Sequence, residues 1–429
     1  FSVIMPDFRE YSIIINNVSI RVNNISIRSP MSVTSVVSNH NFVGLLVANT
    51  LLAAAFPIQL VLGSLGGLML APNDGLATLP SSVQTLAGLI AAGPFSLFMG
   101  RFGRRSGFAL GSFLTAVGAL VASYALFFNS FEFLCAGHLF MGAGWASFQY
   151  FRFAAAEIVD AKWRPVSISL LLTSGLVAAI IGPQIFVLTK DAMAPISFAG
   201  AYFAIVGISL VGVVPLAWVR IPPPGRSTKS GKKGSKALGL ALRRPPVRRA
   251  IATASVSQGI MVFLMIPTPI AMVACGFTDI LASDVVRWHI VAMFAPSFFT
   301  GFLIQRFSAS MIAICGIAVL FAAATIAALG LSAAHFYIAL IVLGIGWNFG
   351  FIGATSMLAD AVSEEEKAMV QGANDTIIAL VSTICAFAAG LVMAGFGWII
   401  LAITSGVIAL MAGVVLYIRV PANTCGVMK

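Results

Sequence analysis

Charge is scarce in this chain. Only 9% of its 429 residues are charged, 14 acids against 25 bases, while 59% are hydrophobic. Soluble domains carry about 25% charged residues, so an ordinary water-soluble fold is excluded. Cysteine offers no framework either. Five residues (135, 275, 315, 385, 425) are scattered and odd in number, with no CxxC pair. Such a set implies neither a disulfide scaffold nor a metal site. The four histidines (40, 138, 289, 335) lie far apart, and there is no phosphate-binding loop, no HExxH and no pair of catalytic carboxylates. These absences argue against an enzyme and against an ATP-driven pump, and no cofactor or metal is expected.

Apolar sequence in long runs is what the chain does have. Uncharged stretches cover 42–73, 108–130, 196–219, 251–278, 311–334 and 376–418. A membrane-crossing helix needs about 20 such residues, and the last run has room for two. The fold class expected is an all-α membrane protein with twelve transmembrane helices. Charge and turn breaks place them near 42–64, 76–99, 108–129, 133–157, 166–188, 199–218, 251–273, 284–304, 309–330, 335–358, 374–395 and 398–418. The last pair is split at Gly395–Gly397. Residues 1–30 hold no apolar run of signal-peptide length and read either as translated upstream sequence before Met31 or as a real disordered tail. The organisation expected is a tail over 1–41, a six-helix bundle over 42–218, a basic linker over 219–250, a second bundle over 251–418 and a tail over 419–429.

Bases fix the orientation. Arg101, Arg104 and Arg105 follow span 2, Lys162 and Arg164 follow span 4, Arg306 follows span 8 and Lys367 follows span 10. Residues 220–250 hold ten Lys/Arg and no acid. The opposite loops are nearly free of bases, Lys190 and Arg287 excepted. The positive-inside rule therefore puts both termini and the linker in the cytoplasm. The linker reads as a solvated segment near anionic lipid heads; nucleic acid is a poor partner for it.

The chain repeats itself. Gly142-Ala-Gly-Trp145 returns as Gly344-Ile-Gly-Trp347 at an offset of 202. Each is followed by an acid and, seven residues later, a base: Glu157 and Arg164, then Asp360 and Lys367. Gly100-Arg-Phe-Gly103 matches Gln305-Arg-Phe-Ser308 at an offset of 205. Two six-helix halves in parallel repeat are a transporter architecture, with the substrate between the halves.

Ser96-Leu-Phe-Met-Gly-Arg-Phe-Gly-Arg-Arg105 resembles the loop 2–3 signature of the major facilitator superfamily, G-x-x-x-D-R-x-G-R-R. Arg101, Gly103, Arg104 and Arg105 are kept; Ser96 stands for the usual glycine and Gly100 for the acid. In that family the acid helps lock the cytoplasmic gate, so the resemblance implies other lock partners here. The span-4 signature R-x-x-x-G aligns on His138-Leu-Phe-Met-Gly142, with histidine in place of an arginine often tied to proton coupling. Gly182-Pro183-Gln184 resembles the core of the antiporter signature GPxxGG, but Phe186 and Val187 replace its last glycines. Residues 151–157, 288–304, 346–360 and 370–375 resemble a bacterial subfamily with members linked to riboflavin uptake. The resemblance implies a multi-pass transporter of the bacterial inner membrane that moves a small organic solute by alternating access, riboflavin being the lead. Proton-coupled drug or metabolite efflux is the alternative, and a membrane receptor or scaffold is a third.

Candidate site residues follow. Trp145, Gln149 and Arg152 fall at i, i+4 and i+7 on span 4 and share a helical face. Either this face lines the cavity, or Arg152 snorkels or pairs near the gate, since charge facing lipid costs about 2.5–3.5 kcal/mol at a helix centre. In span 10 the equivalents are Trp347, Asn348 and Phe351. These aromatics either pack the bundle or stack on a planar ring. Asn49, Gln59, Gln149, Asn348 and Thr355 are amides and hydroxyls able to bond its edge. Arg101, Arg104, Arg105, Glu157, Arg164, Arg306, Asp360 and Lys367 are expected at the gate, with Glu157 paired to Arg164 and Asp360 to Lys367. His138 is the coupling candidate. Asp375 reads as a helix cap, with Asn374 or Asp375 at the N-cap of span 11. A monomer in the bilayer with a small-molecule substrate satisfies this reading. The orientation is checked by cysteine labelling: Ser230→Cys is expected to resist a membrane-impermeant thiol reagent applied to intact cells, and efficient labelling would reverse the topology.

Overall fold

The computed structural model describes residues 39–160, 163–221 and 232–418. The tails, including Cys425, together with residues 161–162 and residues 222–231 of the charged linker, lie outside these residues. Every described element is helical. A lipid-embedded backbone must satisfy its own N–H and C=O groups, and a helix does so within one segment.

The described helices can be divided into segments corresponding to the twelve expected spans. Span 1 is two helices, His40–Ala53 and Ala55–Leu70. Span 2 is Leu79–Phe102 and span 3 is Arg104–Phe127. Span 4 is broken into Phe131–Phe148 and Phe151–Ile158. Spans 5 and 6 are Arg164–Thr189 and Ala199–Val213. An amphipathic helix, Lys232–Arg243, leads into span 7, which is Pro245–Met265 and Thr268–Ala274. Span 8 is Asp279–Phe294 and Ser297–Phe307, bent by 40° at the break. Spans 9 and 10 are Ala309–Leu329 and Ala333–Ala361. Spans 11 and 12 run on as Glu364–Ile418, interrupted where Gly397 takes φ 76°. A positive φ is natural only for glycine, and it sits where the sequence divides the pair. Prolines explain two further breaks: Pro267 and Pro296 lack the N–H that a continuous helix needs.

Most spans pass for membrane crossings on length and apolarity alone. Span 4 does not: its first helix, Phe131–Phe148, carries Glu132 and His138, and its second is only eight residues long. The apolar part of span 5 is the short Thr173–Thr189. Span 11 corrects an expectation. Its helix starts at Glu364, ten residues before the predicted 374, so Asn374 and Asp375 are interior helix residues and cap nothing.

The two halves meet unevenly. For orientation, the side bearing Arg101, Arg104, Arg105 and Arg306 is termed the basic side, and the other the far side. On the far side both halves share one hydrophobic core, with Ile58, Leu62 and Tyr202 from the first half and Ile260, Leu264 and Val286 from the second. There Ser64 Oγ donates to Ile266 O at 2.8 Å, and these positions are 202 residues apart, the repeat offset. The contact therefore lies on the pseudo-twofold axis. Span 2 meets span 11 so closely that a Cβ on Gly390 would fall 1.9 Å from Thr78 Oγ1. Toward the basic side the cores separate. Phe95, Phe108, Phe148 and Phe151 form one cluster in the first half, and Ala241, Val247, Leu358 and Val370 another in the second.

Small residues bring spans together within each half. A Cβ on Gly142 of span 4 would lie 2.1 Å from the backbone oxygen of Gln84 in span 2. Backbone cannot yield as a flexible side chain can, so Gly142→Val is expected to lower stability by about 1–3 kcal/mol. Thermal melting in detergent checks this, and an unchanged midpoint would contradict the close approach.

Candidate functional site

Each half holds one stacked aromatic pair, built on tryptophans that are equivalent in the repeat. In the first half Trp145 of span 4 stacks on Phe56 of span 1, centroids 4.2 Å apart and planes 17° from parallel. In the second, Trp347 of span 10 stacks on Phe351 one turn later, at 5.0 Å and 16°. All four are only partly buried. The Trp347 indole Nε1–H donates to Gln258 Oε1 of span 7 at 2.7 Å, and Phe294 meets Trp347 edge-on.

The other expected site residues divide. Gln149 is exposed and occupies the break in span 4, where it ends the helix Phe131–Phe148. The break spoils the continuous face predicted for Trp145, Gln149 and Arg152. Asn348 is fully buried, and its amide is used inside the second half. Its Nδ2 donates to Met293 O and Ser297 Oγ, both at 2.7 Å, and its Oδ1 accepts from Thr300 Oγ1. It braces the bend in span 8 rather than presenting an amide to a solute, which corrects its expected place. Asn49 Nδ2 donates to Ser174 Oγ of span 5 at 2.8 Å, and Thr355 bonds its own helix at Phe351 O.

Arg152 spans the seam. Its Nη2 lies 2.8 Å from Asp375 Oδ2 of span 11, in the other half. The guanidinium also lies 4.9 Å from the Phe153 ring centroid. Both side chains are more than a third exposed, so solvent screening limits the pair to about 0–1 kcal/mol. Of the two places expected for Arg152, the structure shows it paired, and Asp375 of the other half is its partner.

The expected gate pairs are corrected. Glu157 bonds Arg104 through both oxygens, at 2.8 Å to Nε and 2.6 Å to Nη2, and does not meet Arg164. The guanidinium of Arg104 sits over Tyr150 and Phe153 at 5.8 and 5.7 Å. The helix carrying Glu157 ends at Ile158 and Val159 is extended, so the chain carries Arg164 away to an exposed position. Asp360 is exposed and forms no ion pair among the described residues. By the repeat, the counterpart of Arg104 is Ala309, which offers no charge. Arg101, Arg105 and Arg306 are exposed. Arg244 instead pairs with Glu366 at 2.6 Å, and this hydrogen bond holds the Glu366 carboxyl below its ordinary pKa.

On the far side a latch joins the halves that the sequence reading did not find. Lys190, at the end of span 5, lies 3.0 Å from Asp279 at the start of span 8 and 2.5 Å from Asp191. Burial pulls the Lys190 pKa down, but the two carboxylates outweigh it and hold the ammonium charged. The signal was visible: Lys190 is one of two bases on a base-poor side. The second, Arg287, is bound to Asp284 in its own helix, and Tyr337 donates to that carboxylate at 2.5 Å.

His138 has no exposed surface. Its Nδ1 lies 2.7 Å from Gln84 Oε1 and its Nε2 2.8 Å from Tyr202 Oη, while Gln84 Nε2 donates to Gln59 Oε1 at 2.9 Å. An amide oxygen only accepts, so Nδ1–H donates to Gln84 and, in a neutral ring, Nε2 accepts from Tyr202. The chain ties spans 1, 2, 4 and 6 together.

No family model matches this sequence. The chain is 37% identical over 361 residues to the riboflavin transporter RfnT of Brucella anthropi, covering 84% of this chain and 91% of that protein. It is 30% identical over 359 residues to the uncharacterized MFS-type transporter YddS of Bacillus subtilis, covering 79% and 81%. The crystal structure of the nucleoside transporter NupG shares the fold, with a TM-score of 0.72 at 11% identity over 88% of this chain and 99% of that one. The all-helical apolar fold and these relatives define a membrane transporter and not an enzyme. The chain belongs to the major facilitator superfamily.

The seam pair is tested by charge exchange. Arg152→Asp faces Asp375 with a like charge and is expected to cut transport severalfold, and Asp375→Arg in the same chain to restore most of it. Failure of the double variant, with normal membrane level, would show that the pair itself is not what matters.

Proposed function

We propose that this protein takes up riboflavin across the bacterial inner membrane by rocking its two halves about the seam. The observation that carries the reading is the two ring pairs, Phe56–Trp145 and Trp347–Phe351, one in each half and built on repeat-equivalent tryptophans. A planar heterocycle between them stacks on both halves at once. Each such aromatic contact is worth about 0.5–1.5 kcal/mol beyond area burial. The similarity to RfnT supports riboflavin as the solute. So does the charge-poor lining: a multiply anionic solute would need several cations, whereas Arg152 is engaged with Asp375.

In this reading the basic side faces the cytoplasm, because the ten uncompensated bases of residues 220–250 resist translocation. The protein is then inward-facing here. The shared core and the Lys190–Asp279 latch close the outer side. The Arg152–Asp375 pair crosses the inner mouth and is screened enough to part. The return step opens the latch and draws spans 4 and 11 together. Arg104–Glu157, internal to the first half, keeps that half rigid as it moves. One copy of the chain contains both halves and suffices.

Uptake of labelled riboflavin into a riboflavin-requiring strain carrying the gene tests this. Trp347→Ala is expected to raise the half-saturation concentration by roughly 2- to 13-fold, the equivalent of 0.5–1.5 kcal/mol. No uptake by the wild type would remove riboflavin and bring efflux forward.

A further inference from the structure

Gln258 of span 7 carries no role in any of the contacts above except as acceptor for an indole. Its orientation is nevertheless fixed. Trp347 Nε1–H can only donate, so the amide oxygen of Gln258 must face it, at 2.7 Å. The Nε2 hydrogens therefore point away from Trp347. They have no hydrogen-bond partner among the described residues, and Nε2 is not among the sealed polar atoms lacking one. It is an oriented, accessible donor pair.

Its surroundings say where the donor points. From Thr253 to Met272 span 7 is buried except at Val256 and Gln258. Val256 packs on the common core, which leaves Gln258 as the one opening in that stretch. Span 7 is enclosed by spans 10 and 11 of its own half, and its outer end meets span 1. The opening thus belongs to the seam and not to lipid. The repeat sharpens this. At the offset of 202, Trp347 corresponds to Trp145 and Gln258 to Phe56. Where the first half sets a second ring against its tryptophan, the second half sets an amide. The cage is flat and apolar on one side and carries one polar tooth on the other.

We propose that Gln258 determines specificity, its Nε2–H2 donating to a carbonyl oxygen on the edge of a planar heterocycle held between the two ring pairs. The ligand class is a ring with an imide or pyrimidinedione edge, as in a flavin. Trp347 acts here as a positioning residue, since its N–H holds the amide in the donating orientation. The inference rests on the ring-transport reading given above and adds which edge is read and by what.

The test uses purified full-length protein and calorimetric binding of riboflavin and of its 2-thio and 4-thio analogues. In each analogue one edge carbonyl becomes a weaker acceptor. Wild type is expected to prefer riboflavin over one of the two by roughly five- to tenfold, the range for one hydrogen bond. Gln258→Leu should bind riboflavin weaker by a similar factor and lose the preference. Gln258→Glu keeps the acceptor for Trp347 and nearly the same shape but replaces the donors with an anion, so it should bind weaker still. Trp347→Phe keeps a ring yet frees the amide to turn, and should reduce the preference more than loss of stacking alone. An undiminished preference in Gln258→Leu would overturn the assignment while leaving riboflavin transport standing. Absence of wild-type riboflavin binding would overturn the ring reading, and this assignment with it.

Discussion

The far-side seam is the constraint on which the rest depends. Ser64 and Ile266 are equivalent positions of the two halves, and they touch through a hydrogen bond on the axis that relates them. Around that point the halves share a single core. Because they are joined there, they diverge toward the basic side, where each has a core of its own. A hinge line at one end and a parting at the other is the geometry that rocking requires. In the proposed function the ring pairs hold the solute between these two regimes.

The low-dielectric setting decides how the few polar groups are used. A polar group is costly there if left alone, and several have partners that also join segments. Asn348 satisfies the carbonyl of Met293 at the bend of span 8. His138, Gln84, Gln59 and Tyr202 link four spans of the first half. Lys190 and Arg152 do the opposite work, each reaching across the seam from the first half to a carboxylate of the second. The intra-half polar contacts tie spans within each half, while the salt bridges between the halves lie away from the shared core. Gln258 stands apart, with its acceptor occupied and its donors open.

The fold was largely legible in the sequence. Long apolar runs and the recurrence of Gly-x-Gly-Trp counted the spans and paired the halves, and Gly397 marked the division of the last two. What the sequence concealed depended on angles between segments. Seven-residue spacing suggested Glu157 beside Arg164, but a helix end after Ile158 sent the two apart and brought Arg104 to the acid. Asp375 looked like a cap because the polar residues before it resembled a loop; the helix in fact runs through them. Arg152 and Asp375 are 223 residues apart, and no local pattern links them. Gln258 was overlooked because an amide at an ordinary helical position gives no signal until its neighbour is known to be an indole N–H.

The account's central claim is that one planar ring is held between tryptophans of both halves. Flavin fluorescence measures this directly, because stacking on an indole quenches it. Titrating riboflavin with purified protein should give saturable quenching, reduced by Trp145→Leu and by Trp347→Leu separately and nearly abolished when both are changed. Saturable binding whose quenching survives the double change would contradict the claim, since the ring would then sit somewhere other than between the two halves.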